Sequence, residues 1–222
     1  MKKFRDLRLE QTRESITPTK EMPFRWMVYH VKELFMEFLP KIEINDSSVI
    51  QIDFGIRGDE PEFDSVLGST NIFIENFDFD AFYRLDKRTQ EHMILEIIVD
   101  SLCEISQRKG KDPDKINIIK EAANKVTESN FNLTKHIKRL SKKCPNKTYS
   151  INVYKCINLS CGEAWNCEIE NIKSGAVTQK WMTKVPNFID RQDWFKKITV
   201  TDTEYTVFDK FSKIVFQTNW DG

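Results

Sequence analysis

The sequence predicts an α+β fold: an N-terminal helix and strands, a helical hairpin, then a C-terminal antiparallel β-sheet meander. Three observations predict it. Apolar residues recur at three- and four-residue steps in the first half of the chain. They switch to strict alternation after Asn130. Helical and strand patterns are therefore segregated rather than interleaved, which separates α+β from α/β.

The elements follow in order. Phe24, Met27, Val28, Val31, Leu34, Phe35 and Phe38 share one helical face, between Pro23 and Pro40. The spacing predicts a helix over Phe24–Leu39. Val49–Phe54 alternates as a strand, and Ile72–Phe77 reads as a second. Met93, Ile94, Ile97, Ile98, Leu102 and Ile105 form a wide apolar stripe, with Asp86 as N-cap and Gly110 as stop, predicting a helix to Arg108. Ile116, Ile119, Ala122, Ala123 and Val126 predict another from Pro113 to Ser129. The short link between them makes an antiparallel hairpin the natural arrangement.

Phe131–Leu140 suits helix or strand, and strand is preferred. Thr148–Ile157 alternates, turns near Ser160–Glu163, and continues through Trp165, Cys167 and Ile169. Lys173-Ser174-Gly175 marks another turn. Val177–Val185, Ile198–Thr201 and Lys213–Gln217 complete the expected strands. The whole is expected as one domain over 1–222, divisible into a mixed part, 1–130, and a β-rich part, 131–222.

Composition bounds the class. The chain has 222 residues, 40% hydrophobic and 31% charged, which is enough apolar matter for a core. Only 7 residues are glycine, which disfavours glycine-rich phosphate loops. The charged start has no apolar signal-peptide core, and no stretch approaches a membrane span. Five cysteines, an odd number, suit reduced thiols in a cytoplasm.

Charge is the strongest signal. The chain is neutral overall, yet Asp53–Asp80 holds eight acids against Arg57 alone, a net −7. The same stretch holds Phe54, Phe63, Phe73, Phe77 and Phe79. Acids rimming aromatic anchors describe a docking surface for a basic protein. The expected partner-binding residues are Asp59, Glu60, Glu62, Phe63, Asp64, Asp78, Phe79 and Asp80. Arg108–Lys143 is the counterpart, with eleven Lys or Arg against four acids; the densest basic run is Lys135, Lys138, Arg139, Lys142 and Lys143, continued by Lys147. A nucleic-acid-associated role for the Lys135–Lys147 surface is the alternative.

Catalytic patterns are weak by context. Asp78-Phe79-Asp80 is a DxD, but Phe82 stands where a phosphate-handling site needs Thr or Val. Gly55-Ile56-Arg57-Gly58 matches a KH-type loop, but it follows a strand and runs into acid. His30, His92 and His136 have no partner at ligand spacing. Cys144, Cys156, Cys161 and Cys167 include no CxxC, although Cys156 and Cys167 could face each other across a hairpin to form a disulfide or a metal site. No enzyme activity, cofactor or metal is expected.

The order of elements resembles the small α+β immunity proteins of bacterial polymorphic-toxin systems. The resemblance lies in Ile72–Leu85, the helical hairpin and the strand-rich tail ending in Ile214–Trp220. It implies a cytoplasmic bacterial inhibitor, with no role at a membrane. Such an inhibitor neutralises a toxin domain by occluding its active site, and a basic nuclease toxin would suit an acidic inhibitor.

Overall fold

The structure is a computed structural model and describes residues 2–12, 23–59, 61–108, 112–183 and 194–220. The α+β class holds, and the chain divides into two compact units, Met1–Asn132 and Leu133–Gly222.

The first unit is built on three parallel strands in the order β1-β2-β3: β1 (Asp6–Gln11), β2 (Val49–Phe54) and β3 (Ser69–Ile74). Parallel neighbours need a crossover. Between β1 and β2 the chain forms α1 (Phe24–Met27) and α2 (Tyr29–Phe38). The expected single helix is broken at Val28, whose ψ of 0° leaves the α region. Between β2 and β3 the described residues of segment 55–68 contain no helix. Then come α3 (Phe79–Arg84), α4 (Lys87–Arg108) and α5 (Pro113–Glu128).

The α4 stripe is buried as expected: Ile94, Ile98, Leu102 and Ile105 have no exposed area. Asp86 caps the helix by accepting the Thr89 N–H, at 3.1 Å. Asp112 caps α5 in the same way, and Pro113 opens it. The two helices pack together and both meet α2. Gly110, the expected stop, lies outside the described residues.

The aromatic stretch closes this unit. Phe24 sits within 4.7–5.8 Å, between ring centres, of Phe54, Phe77, Phe79 and Phe82, mostly edge to face. β3 stops at Ile74 rather than Phe77, because Asn76 takes a φ of 60° and turns the chain. Phe77 and Phe79 are thereby directed onto Phe24.

The second unit is entirely antiparallel. One sheet runs β4 (Leu133–His136), β6 (Tyr149–Asn158), β7 (Gly162–Asn171), β8 (Val177–Trp181), with β5 (Lys142–Lys143) also on β6. The other is β11 (Ile214–Asn219), β10 (Glu204–Phe208), β9 (Lys197–Val200). Ile151, Val153, Trp165 and Cys167 of the first sheet share one core with Tyr205 and Val207 of the second. The expected meander is thus two sheets packed over a common core. The ambiguous segment Phe131–Leu140 splits into strand β4 and a short 3-10 turn, Lys138–Leu140. Of the expected strand Val177–Val185, residues 184 and 185 lie outside the described residues.

Candidate functional site

The acidic stretch is shaped by the crossover between β2 and β3. Leaving β2 through Gly55, the chain returns along the open edge of β3. Glu62 bridges to Asn71 in parallel, and the Phe63 N–H donates to the Asn71 carbonyl at 3.0 Å. Asn45 then donates to the Phe63 carbonyl at 2.9 Å, and Ser47 donates to the Ser65 hydroxyl at 2.9 Å. The segment ends in a tight turn: Val66 and Ser69 exchange both backbone hydrogen bonds, at 2.8 and 2.9 Å.

The two residues inside that turn are Leu67 and Gly68, at φ values of 54° and 88°. Such turns normally carry Asn-Gly, because a side chain at positive φ crowds its own backbone. Here a leucine occupies the strained position and is 99% exposed. Val66 and Ile56 are exposed as well.

The predicted site residues do not form one patch. Asp59 is exposed, five positions beyond the end of β2. Asp78 and Asp80 are exposed beyond the end of β3. Asp64 is exposed at the opposite end of β3, beside the turn Asn45–Ser47. A six-residue strand is roughly 20 Å long, so the acids occupy two ends of the sheet. Glu60 lies outside the described residues.

Several residues of the stretch serve the fold. Glu62 accepts the Phe73 N–H at 3.0 Å and pairs with Arg57 at 3.1 Å. Asp78 caps α3 by accepting the Ala81 N–H at 2.8 Å. Phe79, expected as an exposed anchor, is buried in the aromatic cluster. Its position after the cap points it inward, where burying the ring gains more than any rim contact. Asp53, at the start of the stretch, is also buried and accepts from Gln51.

A cleft of about 350 Å³ opens between β3 and α4. Ile72, Phe73 and Ile74 form its strand wall, with Glu62 and Phe63 above them. The helix wall is Ile97, Asp100, Ser101, Glu104 and Arg108, one face of α4. The Arg108 guanidinium lies 3.8 Å over the Phe63 ring and pairs with Glu104 at 2.8 Å. Phe63, the other expected anchor, is thus half-covered by a cation of its own chain.

Lys135, Lys138, Arg139, Lys142, Lys143 and Lys147 lie in the second unit and are exposed, but Arg139 donates to the Phe195 carbonyl at 2.7 Å. Cys156 and Cys167 do not face each other: Cys156 is opposite Ala164, and Cys167 is opposite Val153. The turn Leu159–Cys161 sets this register and leaves Cys167 three positions along β7 from the residue opposite Cys156. Burial pushes the Cys167 thiol up to about 12, which suits an inert packed thiol. Among the described residues, no three His, Cys, Asp or Glu side chains gather as a metal site. None of the described helices is long and apolar enough to cross a membrane.

Comparison with protein-family models, curated proteins and solved structures finds no match.

Sequence reasoning missed Leu67 and Ser101. Leu67 carries a signal: Leu-Gly stands where turn chemistry calls for Asn-Gly. Ser101 does too, since it falls four residues after Ile97 and four before Ile105, inside an apolar stripe.

Proposed function

We propose that this protein is a cytoplasmic binding protein of the immunity type, which captures a basic toxin domain and blocks it by occlusion rather than by catalysis. The observation that carries the reading is Leu67, a leucine at positive φ with 99% of its surface exposed. A strained backbone that presents an apolar side chain to water costs stability on both counts. Such a cost is repaid when a partner covers the residue. Val66 flanks it as a second apolar contact, and Asp64 supplies a carboxylate. Asp59, Asp78 and Asp80, at the far end of the sheet, extend the negative field that steers a basic partner. Long connections without helix or strand inside compact units are commonly functional, and the described residues of segment 55–68 form neither.

The test uses affinity capture from the native cell, followed by binding kinetics with the captured partner. Leu67→Gly relieves the strained φ and is expected to gain about 0.5–1 kcal/mol of stability. It should also weaken partner binding by about tenfold or more. Asp59→Lys with Asp64→Lys should slow association and flatten its salt dependence. Unchanged binding in both variants, or no basic partner captured at low salt, overturns the reading. The Lys135–Lys147 alternative predicts salt-sensitive binding of DNA or RNA that survives both variants.

A further inference from the structure

The cleft between β3 and α4 contains two polar groups that the fold leaves unused. Ser101 is 3% exposed, and its Oγ has no hydrogen-bond partner. A buried mid-helix serine ordinarily donates back to the carbonyl one turn earlier. Ser106 does so on the same helix, donating to the Leu102 carbonyl at 2.8 Å. An unpartnered buried hydroxyl costs on the order of 1–3 kcal/mol, so it calls for an explanation.

Its neighbour supplies the second group. Three carboxylates line the cleft, and two are taken: Glu62 by Arg57 and Glu104 by Arg108, at 3.1 and 2.8 Å. Asp100 is exposed and makes no hydrogen bond or ion pair with a described residue. The cleft therefore carries one unbalanced negative charge beside one orphan acceptor. Phe63 and Phe73 add aromatic walls, and each already has a guanidinium over its ring, at 3.8 and 5.7 Å.

We infer that this cleft binds a small organic cation with N–H donors, of the alkylammonium or alkylguanidinium class. Its head donates to the Asp100 carboxylate and the Ser101 hydroxyl, and its stem lies on Ile97 and the phenylalanine walls. The charge follows from the one uncompensated carboxylate. The donor follows from Ser101, because an ammonium or guanidinium N–H satisfies an oxygen that no group of the fold reaches. The apolar stem follows from Ile72, Ile97 and Phe73, which a purely inorganic cation would leave wet. The volume of about 350 Å³ suits a ligand of this size. This site does not depend on Leu67 or on any protein partner.

Agmatine is the probe, with n-pentanol as the uncharged control. Titration of the full chain should give saturable amide shifts at Phe73, Asp100 and Ser101 in the millimolar range or tighter, and n-pentanol should give none. Asp100→Asn is an exposed, near-isosteric change that leaves the fold intact, and it should weaken agmatine by about tenfold or more. Ser101→Ala should weaken it by less and, by removing the orphan hydroxyl, raise the melting temperature of the free protein. No saturable shift with agmatine, equal binding of n-pentanol, or unchanged affinity in Asp100→Asn overturns the inference. Loss of partner capture in the Leu67→Gly variant, with agmatine binding retained, separates this site from the docking segment.

Discussion

The two units meet the same physical demands in different ways. In the C-terminal unit, buried polar groups are mostly spent on the fold. Tyr205 donates to the Leu140 carbonyl at 2.7 Å, Lys155 pairs with Glu163 at 3.3 Å, and Trp165 donates to Glu163 at 2.9 Å. In the N-terminal unit, backbone strain gathers around two strands. Asn45, Asp46, Phe63, Leu67 and Asn76 all hold positive φ beside β2 and β3, against Lys147 and Ser212 as the non-glycine cases among the described residues of the C-terminal unit. Leu67 is also exposed there, whereas each unit has one unpaired buried polar atom, Ser101 Oγ and Asn166 Oδ1. Regions that violate the rules of stability without compensation within the fold are where binding is expected. That contrast, more than acidity alone, locates the candidate site.

The largest effect should come from the aromatic cluster. Phe24→Ala removes the ring that touches Phe54, Phe77, Phe79 and Phe82, and is expected to cost about 3–5 kcal/mol in urea unfolding. A loss below about 1 kcal/mol would mean that the cluster is not the N-terminal unit's core. Lys155→Met asks the matching question of the C-terminal unit. It removes the ammonium that pairs with the buried Glu163, at an expected cost of about 3 kcal/mol or more. A neutral result there would mean that this buried ion pair does not hold the C-terminal unit.

The smallest effect is one of pH. His30 is buried against Glu91 at 2.8 Å. Burial lowers its pKa, and the hydrogen bond and charge of Glu91 only partly oppose this. The folded state therefore holds a neutral ring, while the unfolded chain takes up a proton near pH 6.5. The unfolded state binds more protons below that value, so this contribution is full at pH 7 and is lost as pH falls toward 5. Urea midpoints across that range should fall, and His30→Gln should flatten the slope. An equal slope in the variant would remove His30 from the account.

Much of the fold was legible where one element buries one face. The stripe of α4, the cap at Asp86 and the alternation of β6 and β7 are local patterns, and they appear where the periodicity puts them. The parallel sheet was not legible. β1 offers only Leu7 and Leu9 between charges, and its partner lies far along the chain. β10 was missed because the run Glu204–Phe208 is short and flanked by polar residues. α3 was hidden by its phenylalanines, which favour strands by propensity and were overridden by the Asp78 cap and the cluster. The acidic site was legible as charge but not as geometry. A side chain such as Glu62 or Phe79 looks the same in sequence whether it meets solvent or holds the fold.

The parallel pairing of β1 with β2 also has a kinetic consequence. Asp6 is registered with Val49, whereas Asn158 is registered with Gly162. The β6–β7 hairpin closes over a few residues and forms early; the N-terminal sheet must first close a loop about ten times longer. Until β1 arrives, β2 has one unpaired edge rich in isoleucine, Ile50 and Ile52. The topology therefore predicts that aggregation during refolding begins at β2, and that a chain lacking β1 is lost to aggregation before the partner-facing segment is ever tested.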